Sequence, residues 1–120
     1  MIWVTARREA YGRQRPVEKG GKGMDINEFV ESVKLDSPPV GLSDPEAALW
    51  WDAKGDWKQA HGLVDELESK DGMAVHAYLH RKEGALSNAD YWYARAGRNF
   101  QRPELDDEWR ALAQALLSAR

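Results

Sequence analysis

Apolar residues recur along this chain at helical spacing rather than alternating with polar ones. Ile26, Phe29, Val30 and Val33 lie three and four apart, which predicts a short helix capped by Asp25 and reaching about Lys34. Two prolines between Asp36 and Gly41 lack amide donors and favour extended backbone, so that helix must stop. Ser43 or Asp44 caps the next helix, with Pro45 near its first position, and Lys54-Gly55 ends it. A third is expected from Asp56 to about Ser69, burying Trp57, Ala60, Val64 and Leu67. Asp71-Gly72 separates it from a fourth over about Met73 to Lys82. Gly84 stops that one, and Ser87 or Asn88 opens a fifth reaching about Ala96. Pro103 precedes the last helix, in which Leu105, Trp109, Leu112, Ala113 and Leu116 form one apolar stripe. No stretch alternates with period two long enough to be a strand, so the fold class is all-α.

Sliding the chain by 29 residues brings two segments into register. Gly55 falls on Gly84, Ala60 on Ala89, Ala48 on Ala77 and Leu67 on Ala96, while Trp57 meets Leu86 and Val64 meets Tyr93. That pattern fits antiparallel helical hairpins: a helix, a tight glycine turn, and a second helix whose alanine lets the axes approach. In A-L-W-W-D-A-K-G-D-W-K-Q-A, residues 48–60, the spacing of Trp51, Gly55, Trp57 and Ala60 resembles the tetratricopeptide repeat. The second copy keeps Gly84, Ala89 and Ala96 but carries Ala85, Leu86 and His80 where the first has Asp56, Trp57 and Trp51. The period is also shorter than the usual length of about 34. The resemblance implies about two degenerate repeats over residues 44–98, closed by the C-terminal helix as a cap. The block H-A-Y-L-H-R-K-E-G at 76–84, with N-A-D-Y-W-Y-A-R-A-G at 88–97, also resembles an uncharacterised family of small bacterial and eukaryotic proteins. That likeness implies a helical-repeat domain and lends no activity.

Charge divides the chain. Residues 1–23 carry six basic side chains against Glu9 and Glu18, a net of +4, and the whole chain carries −3, so residues 24–120 carry −7. Four glycines and no sustained periodicity make the first segment an expected disordered extension, with residues 24–120 forming one domain. The segment reads as a basic arm touching nucleic acid or an acidic partner, as an Arg-rich transit peptide, or as an over-extended reading frame before a natural start at Met24. The third reading is preferred, because purine-rich codons for Glu18 to Gly23 can hold a ribosome-binding site. The overall acidity argues against nucleic acid as partner. No apolar run approaches the roughly 18 residues of a membrane span. The chain has no cysteine, which removes disulfides and thiolate chemistry and points to the cytoplasm.

The remaining chemistry rests on histidine. His76 and His80 are four apart on the fourth helix, Glu83 continues their face, and His61 lies on the preceding helix. One reading is a divalent metal site with His61, His76 and His80 as nitrogen ligands and Glu83 as oxygen ligand or base. The zinc-protease motif is not met, because Ala77 stands where it needs a glutamate. The preferred reading is a buried polar cluster of His61, His76, His80 and Glu83 with Asn88 and Asp90, its members hydrogen-bonded to one another and no cofactor expected. A third is a metal-free ligand pocket in which a histidine acts as acid or base.

A groove offers the other site. The first helix of each hairpin presents Leu49, Asp52, Tyr78, Arg81 and Lys82, and the two cations suit an acidic tail or carboxylate. Trp92 and Arg95, three apart, can stack or anchor a partner. Trp51, Trp57 and Trp109 are assigned to the core, with Trp50 and Trp92 left open. The function expected first is therefore a non-enzymatic module binding a protein or peptide, with homodimerisation through exposed tryptophan or the last helix. The alternative is a small metal- or ligand-binding domain, with catalysis open, on His61, His76, His80 and Glu83.

Overall fold

The computed structural model describes residues 24–99 and 102–120, and these form six helices. The basic segment 1–23 lies outside the described residues. Helix α1 spans Ile26–Ser32, α2 Asp44–Lys54, α3 Trp57–Val64, α4 Lys70–Lys82, α5 Leu86–Arg95 and α6 Leu105–Ser118. No strand occurs among the described residues, so the all-α class holds.

The starts follow from side-chain capping. Asp25 with Glu28, and Ser43 with Glu46, form reciprocal capping boxes at α1 and α2. Asp56 accepts from the Gln59 amide at α3, and Ser69 from the Gly72 amide at α4. The break expected at Asp71-Gly72 is wrong. Ser69 caps from outside, α4 begins at Lys70, and Gly72 lies inside its first turn. A Cβ at Gly72 would stand 2.7 Å from Leu67 Cβ, so this glycine serves close packing rather than a turn. Helix α3 correspondingly ends at Val64, short of Ser69. Helix α5 starts at Leu86 without a side-chain cap, ahead of the Ser87 or Asn88 start that the polar residues suggest.

The helices pack in sequence-adjacent pairs, α2 with α3 and α4 with α5. Gly55 and Gly84 end α2 and α4 in the left-handed region, at φ 96° and 93°, where a side chain would be strained. The 29-residue register extends to burial: Ala48 and Ala77, and Ala60 and Ala89, are all fully enclosed. Val64 and Tyr93 are buried too, whereas Leu86 is exposed where Trp57 is half-buried. Helix α6 lies against α2 and α4, and α1 against α6.

The core gathers Phe29, Leu49, Trp50, Val64, Val75, Leu79 and the inner face of α6. Trp50, left open by the sequence, is the fully buried tryptophan; Trp51, Trp57 and Trp109 are half-buried against the core. Burying the Trp50 indole requires a partner for its N–H, and Ser32 Oγ accepts it at 3.1 Å. Val30, placed on the inner face of α1 by its spacing, is exposed instead.

Candidate metal centre

Helices α3 and α4 bring together all three histidines of the chain. His61 stands one turn into α3, and the i, i+4 pair His76 and His80 occupies the face of α4 that meets it. The Nε2 atom of His76 is the hub, 3.1 Å from Nε2 of His61 and 3.0 Å from Nε2 of His80. One ligand atom from each of the three rings lies within 4.8 Å of the others. His76 and His80 are buried, and His61 is half-buried.

Glu83 stands behind this group. Its Oε2 lies 2.7 Å from Nδ1 of His80, the nitrogen on the far side of the ring from His76. A carboxylate only accepts, so His80 donates to Glu83 from Nδ1, and with its single proton there the ring turns an Nε2 lone pair to the cluster. Glu83 thus braces a converging imidazole rather than joining the convergence as an oxygen donor. Two tryptophans hold the other rings: Trp57 stacks on His61 at 4.8 Å and 9°, and Trp92 on His76 at 4.2 Å and 28°. Trp57 is itself fixed by donating its indole N–H to Leu79 O at 2.8 Å.

Burial first, and His80 next, push the His61 imidazole below its ordinary range. Burial, then His80 and His61, push His76 down to about 4. Both rings are therefore neutral at pH 7, which is the form that ligates metals. The hydrogen bonds within the cluster are incomplete. The lone pair of His80 Nε2 draws the single Nε2 proton of His76, leaving His61 to compete for the same proton. His76 Nδ1 is enclosed and has no partner at all. Three convergent nitrogens that cannot all be paired by protons are suited to one cation.

The other polar residues of the predicted cluster lie apart from it. Asn88 is exposed, and Asp90 pairs with Arg102 at 2.8 Å. The groove residues Leu49, Asp52 and Tyr78 are buried. Asp52 accepts from Tyr78 Oη at 3.1 Å and from Lys82 Nζ at 3.0 Å. Arg81 is engaged by α6, pairing with Glu108 at 2.5 Å and donating to Pro103 O. Glu108 also accepts from Tyr93 Oη, and Trp109 donates its indole N–H to Leu49 O at 2.9 Å. Burial, then the partner carboxylate in each case, raises both phenols well above their ordinary range. The chain's own last helix thus lies against the α2 and α4 face that carries these residues. Between α1, α2, α4 and α6 there remains a cavity of about 560 Å³ lined by Val30, Val33, Asp52, Tyr78, Lys82 and Trp109, among others. Trp92 is half-buried on His76, and Arg95 lies 5.0 Å from its ring.

Three features of the site escape a reading of the sequence by residue type. Trp57 and His61 are four apart, a spacing that permits the stack, yet Trp57 reads simply as core. Asp65 follows His61 by the same interval at the end of α3 and is exposed. Its charge reaches both His61 and His76. The bracing of Arg81 and Tyr93 by Glu108 spans elements whose packing no local pattern announces. No family model, curated protein or solved structure matches this chain.

Proposed function

We propose that this protein binds one divalent first-row metal ion through Nε2 of His61, His76 and His80, with Glu83 orienting His80 from outside the coordination sphere. The observation that carries the reading is the meeting of three Nε2 atoms at a buried hub, where one ring proton of His76 cannot serve both neighbours. Zinc holds imidazole nitrogens at about 2.0–2.1 Å, which separates tetrahedral ligand atoms by about 3.3 Å. The spacings of 3.1 and 3.0 Å about His76 are close to that. Imidazole suits zinc, nickel and copper, and the carboxylate behind His80 is the usual outer partner of a ligating histidine. The scaffold is read as tetratricopeptide-like: α2 with α3 and α4 with α5 as two degenerate repeats, and α6 as their cap. The matched left-handed glycines and buried alanines 29 residues apart support this. A partner-binding role for the groove around Tyr78, Arg81 and Lys82 draws less support, because α6 already engages those residues' surroundings.

The test is zinc titration of the untagged, metal-stripped chain, with metal content read by mass spectrometry. One equivalent is expected, with affinity falling about 100-fold or more in His76→Ala and in His61→Ala. Zinc binding that is absent, or indifferent to both substitutions, would sink the proposal.

A further inference from the structure

Resting on the trihistidine reading, we infer that the bound ion keeps one coordination position open to solvent species and takes water or a small monoanion there. The argument begins with the count of donors. Among the described residues, the only group of metal-ligating side chains holds three members, His61, His76 and His80. The carboxylate bonded to the cluster, Glu83, is committed to His80 Nδ1 at 2.7 Å and faces the wrong side of that ring. The indoles of Trp57 and Trp92, which stack on His61 and His76, offer no lone pair. A four-coordinate ion held by three imidazoles therefore needs its last ligand from outside the chain.

Charge selects the class of that ligand. Neutral imidazoles cancel none of the ion's two positive charges, so the centre remains electropositive even with Glu83 beyond the ligand shell. His76 is deeply buried and His61 only half so, which places the accessible side of the cluster at α3. An anion arriving there meets a Lewis acid beside the Trp57 indole that stacks on His61. Asp65, at the end of α3, is the carboxylate whose charge reaches both His61 and His76, and it lies outside the cluster of ligand atoms.

Cobalt(II) makes the open position visible, because its d–d bands respond to each change of ligand. The metal-stripped chain is loaded with Co²⁺ and titrated with azide, then with acetate, while the visible spectrum is recorded. The expected result is a saturable shift with one azide per cobalt, of equal size in wild type and in Asp65→Asn. Absence of histidine-dependent cobalt bands would overturn the trihistidine reading itself. Cobalt bands that are present and lost in His76→Ala, but unmoved by azide, would overturn only the open position. A response that appears in Asp65→Asn and not in wild type would overturn it as well, by assigning the fourth place to Asp65.

Discussion

Two polar clusters lie on opposite sides of α4, and they are built on opposite terms. On the side facing α6, Asp52 meets Tyr78 and Lys82, and Glu108 meets Arg81 and Tyr93, so each buried carboxylate has two donors. On the side facing α3, three imidazoles turn their Nε2 atoms toward one another, and one proton on His76 cannot serve both contacts. The first arrangement is complete without any ligand and locks α6 in place. The second has acceptor capacity left over, which is the condition a cation relieves. Burial and polarity alone do not separate a structural network from a site; the count of donors against acceptors does.

The sharpest way to break this contrast is to damage the complete cluster. In Glu108→Ala, Arg81 keeps its charge in a site where both side chains are only 12% exposed, and Tyr93 loses its acceptor. Breaking a pair of this kind costs about 3 kcal/mol, to be read from urea unfolding, and zinc affinity should stay as in wild type. A comparable effect follows from pH. Between the unfolded value of 6.5 and the folded value of about 4, the unfolded chain binds a proton at His76 that the folded chain refuses. Stability of the metal-free protein is therefore full above that window and falls as pH drops through it, with His61 acting in the same direction. The loss should be about 3 kcal/mol, and His76→Phe should flatten this part of the profile. Next in size is Glu83→Gln, which keeps the shape but weakens the brace on His80; zinc affinity should drop about 10-fold with folding barely changed.

How much of this was legible before the structure depends on how local each signal is. Capping residues and left-handed glycines act within one turn, so Asp25, Ser43, Gly55 and Gly84 mark their boundaries in the sequence itself. Gly72 misleads because its role is set by Leu67 from outside the helix, and a single glycine cannot announce which constraint it answers. The i, i+4 pair of His76 and His80 is legible for the same local reason. Convergence with His61 follows from the α3–α4 packing and was an expectation until the distances were known. The side of the His80 ring that Glu83 faces is a matter of rotamer, and no spacing rule conveys it. The groove misled most: Leu49, Asp52 and Tyr78 look like an open face until α6, far along the chain, is seen to lie on it.

The smallest expected effect is the one that decides between the two clusters. His76→Phe keeps a flat ring of similar volume beneath Trp92, which stacks on the imidazole at 4.2 Å. It removes the unpaired Nδ1 from the interior and so relieves a desolvation cost. Against that, His61 and His80 lose their shared neighbour at Nε2, although half-buried His61 can turn to water. These terms are of similar size and opposite sign, so metal-free stability at pH 7 should change by no more than about 1 kcal/mol. Zinc binding should vanish in the same variant. If His76→Phe instead unfolds the protein as readily as Glu108→Ala does, the histidines form a structural network equal in kind to the Glu108 cluster. Their convergence would then be a feature of packing, and the contrast across α4 would be lost.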